Sequence, residues 1–120
     1  MPPTLHHAQV FYPPGEEAAA RRFYTDALGL QEIERPSTLR ERSGIWFAAG
    51  PGHVHLSEDR ELALHPRRHF ALRVDDLAAA VSRLRLAGAR FEEADPIPGW
   101  RRTYVFDPFG NKIELDEIER

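Results

Sequence analysis

Short stretches in which apolar and polar residues alternate recur along the chain, and this period of two predicts β-strands. The stretch 5–12 is an example, because Ala8, Val10 and Tyr12 share one face while His7 lies on the other. Gly and Pro clusters separate the stretches and mark turns. The predicted strands are 5–12, 30–34, 44–49, 53–57, 69–74 and 89–94, followed by a two-stranded hairpin over 100–117.

Apolar residues at helical spacing predict two helices between these strands. The first begins near Glu16 and ends at Gly29, and the second is capped by Asp75 or Asp76 and ends at Gly88. The order of elements is therefore strand, helix and three strands, and this order occurs twice.

The two halves of the chain form an internal repeat. Gly29 and Gly88 lie 59 residues apart (88 minus 29), and the closing strands, which begin at Val54 and Ile113, are also 59 residues apart (113 minus 54). Units of this size bury little surface alone, so we expect the halves to pack together. The predicted organisation is one domain, 1–120, with modules 1–59 and 66–120 and a linker 60–65.

The hairpin at the end of the chain carries a conspicuous carboxylate. Asp107, Pro108 and Gly110 supply the turn residues. In the strand that follows, alternation places Glu114 on the face opposite Ile113. By itself this pattern is typical of a solvated strand face.

Four potential metal ligands nevertheless occupy matched positions of the repeat. A lone histidine on a strand is more often a surface or hydrogen-bonded residue. Three histidines and one glutamate in register, all opposite the most apolar side chains, instead indicate a site for a divalent cation. If helices cover one face of each curved sheet, the other faces would meet around a cavity lined by these residues. In the repeat His7 matches His69, and His55 matches Glu114.

The remaining histidines are interpreted as structural or surface residues. His6 and His53 are set aside because they are taken to alternate away from the ligand face, and His65 because it precedes a proline of the linker.

Composition restricts the classes of function. The net charge is -3, and no run of basic residues is longer than a pair, which argues against a nucleic-acid partner. The chain has no cysteine, so a metal would be held by nitrogen and oxygen. No apolar run reaches the roughly 18 residues of a membrane span, and the start, Met1-Pro2-Pro3, lacks the features of a signal peptide. We therefore expect a soluble, cytoplasmic protein.

Taken together, five motifs resemble the vicinal oxygen chelate superfamily, which includes glyoxalase I, extradiol ring-cleaving dioxygenases, fosfomycin-modifying enzymes and bleomycin-resistance proteins. They are H-A-Q-V from His7, F-Y-T-D-A-L-G-L from Phe23, V-H-L-S-E from Val54, H-F-A-L-R-V-D-D-L from His69 and Y-V-F-D-P-F-G-N-K-I-E-L from Tyr104. The resemblance implies an α+β fold of two paired βαβββ modules, which form curved mixed sheets around a metal cleft, and commonly a homodimer.

The resemblance also suggests roles for the four candidate ligands. The family's first-strand, fifth-strand and last-strand ligands fall on His7, His69 and Glu114. Glyoxalase-type enzymes have a carboxylate on the fourth strand, where this chain has His55. An imidazole bound to a metal is a poor base, so this departure argues against glyoxalase I. Ligation by His55 is the favoured interpretation; the alternative is an open triad of the other three residues.

The leading functional hypothesis is a divalent-metal enzyme, using Fe(II), Mn, Ni or Zn, that acts on a small substrate with two adjacent oxygens in a dioxygenase-like or lyase-like reaction. Glu114 and Tyr104 are the predicted catalytic residues, and Trp100 and Arg102 the predicted substrate-binding residues.

Two alternatives remain open at this point. A metal-free module of the bleomycin-resistance type would sequester a flat or hydrophobic ligand with Trp46, Phe47 and Trp100. A fosfomycin-type transferase would need a cationic surface, for which Arg101 and Arg102 are the candidates.

Overall fold

A computed structural model describes residues 1–39 and 41–118 of the protein. The chain divides into two compact units, Met1–Leu62 and Ala63–Arg120. The boundary between them falls within the segment 60–65. Each unit contains one four-stranded sheet and one main helical segment.

The first unit follows the order strand, helix and three strands. The elements are β1 (His7–Tyr12), α1 (Glu17–Arg21) with a π-helical continuation (Arg22–Ala27), β2 (Gln31–Ile33), a 3₁₀ turn (Ser37–Leu39), β3 (Gly44–Ala49) and β4 (Gly52–Glu58). In the sheet the strand order is β1-β4-β3-β2; β1 and β4 are parallel, and the other pairs are antiparallel.

The core of the first unit lies on one side of this sheet. Tyr24 from the helical segment stacks on Phe47 of β3 with the ring centroids 5.4 Å apart. Apolar residues at helical spacing on the segment meet the apolar face of the strands, as the periodicity predicts. The buried residues of the helical segment and its end are Ala20, Phe23, Tyr24, Ala27 and Leu28.

The second unit repeats this arrangement. Its elements are β5 (His69–Arg73), α2 (Leu77–Leu86), β6 (Arg90–Glu92), β7 (Trp100–Phe106) and β8 (Lys112–Ile118). The strand order in its sheet is β5-β8-β7-β6. Again the first and last strands, β5 and β8, are parallel, while the other pairs are antiparallel.

Local chemistry defines the ends of α2. Of the two predicted caps Asp76 is the one used, and its side chain accepts a hydrogen bond from the backbone N–H of Ala79 at 3.0 Å. The buried stripe of α2 consists of Leu77, Ala80 and Leu84. Val81, which also lies at helical spacing from Leu77 and Leu84, is only half-buried.

The turn between β7 and β8 forms as its residues predict. Asp107 Oδ1 accepts hydrogen bonds from the backbone N–H groups of Phe109 (2.9 Å) and Asn111 (2.8 Å). Gly110 adopts a φ of 94°, which few residues other than glycine accept. The turn therefore sets the register of the β7–β8 hairpin.

The predicted α+β class and the βαβββ order of each module are confirmed. The strand registers also agree with the repeat, because His7 pairs with His53 in β4 as His69 pairs with Lys112 in β8. Two residues further along β4 and β8 lie His55 and Glu114, which are therefore equivalent positions. In the part of the chain that the structure describes, no helix is long and apolar enough to cross a membrane.

Candidate functional site

The polar face of β8 is buried. Glu114 lies on the face opposite Ile113, as alternation predicts, yet it is only 6% exposed. Lys112 and Asp116, which share its face, are buried as well. Charged residues are rarely buried without partners, so this face must supply hydrogen bonds and opposite charges.

A histidine and an arginine approach the same oxygen of Glu114. His69 Nε2 lies 3.2 Å from Oε1, and Arg102 Nη1 donates a hydrogen bond to Oε1 at 3.1 Å. Two ligands held ~2.1 Å from one metal ion are about 3.0 Å apart at a right angle and about 3.4 Å apart at the tetrahedral angle. The separation of His69 Nε2 and Glu114 Oε1 falls between these values, so this pair fits a metal as neighbouring ligands.

Tyr104 lies beside this pair, since it is opposite Glu114 in the β7–β8 register. Its hydroxyl oxygen accepts a hydrogen bond from Arg102 Nη1 at 3.3 Å, and its ring meets that of His69 edge-on at 5.2 Å. Lys112 Nζ lies 4.1 Å from the centroid of the Tyr104 ring. The tyrosine ring is thus held between cationic groups, with its hydroxyl directed to the side of Glu114.

The two neighbouring arginines of β7 face opposite ways. Besides its contacts with Glu114 and Tyr104, Arg102 donates to the backbone carbonyl of Asp95 through Nε (3.1 Å) and Nη2 (2.8 Å). Arg101 alternates onto the other face, where it pairs with Glu117 at 3.4 Å. Of the two cationic candidates, only Arg102 therefore belongs to the Glu114 cluster.

Trp100 begins β7 and is 40% exposed. Its backbone forms an isolated antiparallel β-bridge with Ile97, which lies in the loop before the strand. Trp100 and Arg102 lie two residues apart in β7, so both project from the same face of this strand.

Asp116 also belongs to this cluster, although it is not among the predicted site residues. Burial, and then a hydrogen bond with Glu114 and repulsion by its charge, raise the pKa of Asp116 to about 6. Burial also raises the pKa of Glu114, but the hydrogen bond from Asp116 and the positive charges of Arg102 and His69 outweigh burial and leave that pKa below its ordinary value. The sequence feature that indicates its place in the cluster is its spacing from Glu114, because residues two apart on one strand share a face.

Imidazole and indole rings line the corresponding face of the first unit. His55 is 5% exposed, and its ring is stacked between Trp46 (centroids 3.9 Å apart) and His7 (4.2 Å). Burial, and then electrostatic repulsion from His7, His53 and His6, lower the pKa of His55 to about 4. His55 is therefore neutral near pH 7 and keeps a lone pair.

His53 lies on the ligand face of β4, so the prediction that it alternates away from this face was wrong. His53 and His55 are two residues apart on β4, so they share a face, and His53 Nδ1 lies 3.1 Å from His55 Nε2. His6 also takes part, with its Nδ1 2.9 Å from Nδ1 of His7 and its ring 5.0 Å from that of His53. Four imidazoles thus form one cluster on this unit.

The structure brings the predicted ligands together in two pairs, one in each unit: His7 with His55, and His69 with Glu114. Across residues 1–39 and 41–118, no group of three or more His, Asp or Glu side chains stands ready to hold a metal ion. The joining of the two pairs in one centre stays a prediction.

Comparison with known proteins identifies the family. Residues 4–115 match the Glyoxalase/Bleomycin resistance protein/Dioxygenase superfamily, and the chain belongs to this superfamily. The chain is 30% identical over 127 residues to YwkD, an uncharacterized protein of Bacillus subtilis (strain 168), with 95% of this chain and 96% of YwkD covered.

Solved structures agree with the family assignment. A protein from Bacillus anthracis, described as a member of the glyoxalase family, is 33% identical with a TM-score of 0.90, covering 99% of this chain and 98% of that one. The fosfomycin resistance protein FosX from Listeria monocytogenes is 16% identical with a TM-score of 0.78, covering 98% and 94%, and this likeness shows the fold.

Proposed function

We propose that the protein is a divalent-metal-dependent enzyme acting on a small substrate that presents two adjacent oxygen atoms. The observation that carries the proposal is the approach of His69 Nε2 to Oε1 of the buried Glu114, at 3.2 Å. The equivalent positions of the other module carry His7 and His55, which are also in contact. We assign these four residues as the metal ligands, and Fe(II), Mn, Ni and Zn all accept such a nitrogen and oxygen donor set.

When bound, the metal would supply Lewis-acid stabilisation of negative charge on the two substrate oxygens, as dioxygenase-like and lyase-like enzymes both require. Glu114, with its lowered pKa, is ionised and ready to act as an anionic ligand at neutral pH. Arg102 holds the Glu114 carboxylate in place and is itself fixed by the Asp95 carbonyl.

Tyr104 and Trp100 complete the proposed site. The Tyr104 hydroxyl accepts from Arg102 and hydrogen-bonds Glu114, which helps to lower the pKa of Glu114. It would donate its proton to a substrate oxygen in exchange for that bond. Trp100, exposed at the start of β7, offers an apolar surface for the remainder of the substrate. Arg102 adds a positive charge that favours an anionic substrate.

Metal binding tests the proposal directly. Protein purified without chelator or affinity tag is expected to bind at least one of Fe(II), Mn, Ni and Zn, measured by elemental analysis and calorimetric titration. His7→Ala and Glu114→Ala are expected to lose this binding, because each removes a ligand. His65→Ala is the matched control, since His65 is an exposed linker histidine that contacts the backbone N–H of Arg67. A wild-type protein that binds none of the four metals would exclude the proposed function.

A metal-free binding protein of the bleomycin-resistance type is the second candidate. The Trp46, His55 and His7 stack favours it, because it forms an aromatic surface suited to a flat ligand. Phe47 takes no part in that surface, since it is fully buried against Tyr24.

A fosfomycin-type transferase is the third candidate, and the shared fold with FosX supports it. Its phosphonate substrate would need free cationic donors. Arg102 is the cationic group beside Glu114, and most of its donors are already directed to Asp95, Tyr104 and Glu114. We therefore rank this candidate below the other two.

We also propose a cytoplasmic homodimer. Each sheet ends in edge strands, β1 and β2 in the first unit and β5 and β6 in the second, and such edges favour pairing with another chain unless they are covered.

A further inference from the structure

The four imidazoles of the first unit make two nitrogen–nitrogen contacts, and the contact between His53 and His55 bears on the proposed metal site. Both rings lie on the same face of β4, and His53 Nδ1 is 3.1 Å from His55 Nε2. A neutral imidazole has one N–H and one lone pair, so such a contact is a hydrogen bond only when one ring donates and the other accepts. The direction of this bond decides which nitrogen of His55 keeps its lone pair.

Packing around His55 restricts the hydrogen bonds that its ring can form. Trp46 covers one face of its ring at an interplanar angle of 4°, and His7 covers the other at 23°. Only the edge of the ring is open to hydrogen bonding, and His53 occupies the edge at Nε2. Because His55 is buried, an unsatisfied N–H at this position would destabilise the fold.

We propose that His53 is a positioning residue whose Nδ1 accepts a hydrogen bond from Nε2–H of His55 and thereby keeps the lone pair of His55 on Nδ1. His53 is half-buried, and a neutral histidine in contact with water prefers its proton on Nε2, which leaves Nδ1 as the acceptor. The consequence for metal binding rests on the proposed function, because it requires that His55 be a ligand. Partners that fix the tautomer of a ligating histidine are a general feature of metal sites.

The tautomer can be measured without any metal. In metal-free protein at pH 7.5 or so, two-dimensional ¹⁵N NMR of the histidine side chains is expected to show His55 protonated on Nε2 and unprotonated on Nδ1. His53→Ala should shift His55 toward a mixture of tautomers, whereas His53→Asn should restore the wild-type state, because the amide oxygen of Asn replaces Nδ1 as acceptor. His6→Ala is the matched control: it removes a ring that contacts His53 but leaves the His53–His55 bond intact.

Metal affinity provides the second measurement. His53→Ala should weaken binding by about 10- to 100-fold, as removal of an orienting partner does, and His53→Asn should recover most of the loss. In a His55→Ala background the same substitution should have no effect, because the residue on which His53 acts is gone. Thermal unfolding of each variant shows whether the fold is retained.

Three results would overturn the proposal. The first is a proton on Nδ1 of His55 in the wild-type protein. The second is a tautomer of His55 that His53→Ala leaves unchanged. The third is a loss of affinity in His53→Ala as large as in His55→Ala, since this would make His53 a ligand. A wild-type protein that binds no metal would refute the proposed function, whereas the NMR result would still decide the tautomer.

Discussion

Replacement of Asp116 by asparagine is expected to stabilise the protein near neutral pH and to leave its stability unchanged in acid. Asp116 lies buried on β8, two residues from Glu114, and its Oδ1 has no hydrogen-bond partner among the described residues. Burial and the nearby Glu114 charge raise its pKa from 3.8 to about 6. An amide has the same shape as the protonated acid and also donates to Glu114, but it cannot ionise.

The sign and size of the expected change in the free energy of unfolding follow from the difference between the folded and unfolded pKa values of Asp116. Between pH 3.8 and about 6 the unfolded chain releases the Asp116 proton while the folded chain retains it, so the free energy of unfolding falls as the pH rises. At ~1.4 kcal/mol per pH unit, the wild-type protein loses about 3 kcal/mol across this window. Asp116→Asn does not suffer this loss and should be more stable than wild type by up to about 3 kcal/mol above pH 6 or so.

Urea unfolding of metal-free protein, followed by circular dichroism at several pH values from about 4 to 7, tests this expectation. Asp75→Asn is the matched control, because Asp75 is an exposed acid in the same unit. Its stability should track the wild type at each pH. A difference between Asp116→Asn and wild type that does not change with pH, or a variant that is less stable at pH 7, would contradict the reasoning.

Two further predictions concern the core and the assembly. Leu84→Ala in α2 should lower the free energy of unfolding by about 2 to 5 kcal/mol, because Leu84 is 0% exposed and its truncation removes buried surface and leaves a cavity. Leu86→Ala on the same helix should change the free energy of unfolding by less than about 0.5 kcal/mol, because Leu86 is 91% exposed. Equal effects in denaturant unfolding would show that the burial argument fails. Sedimentation at micromolar concentration should show a homodimer, and monomer alone would count against the proposed covering of the sheet edges.

The local elements of this protein could be predicted from the sequence because each depends on neighbouring residues. Alternation placed Ile113 and Glu114 on opposite faces of a strand, and Asp107 with Gly110 marked the turn that precedes it. The repeat also identified His55 as the equivalent of Glu114, because two modules with the same order of elements adopt the same strand registers.

The partners of the site residues were decided only by the tertiary structure. Alternation identified a polar face on β8, but nothing local showed that the face is buried, and burial is what raises the pKa of Asp116. The sequence alone could not show which of Arg101 and Arg102 belongs to the site. The β7–β8 register decides this, because it places Arg102 beside Glu114. The spacing of His53 and His55 already places both on one face of β4, but the 3.1 Å contact between their ring nitrogens depends on how the rings pack. Strand order, register and packing arise from contacts between distant residues, so the chemistry that depends on burial and cross-strand neighbours follows from the fold as a whole.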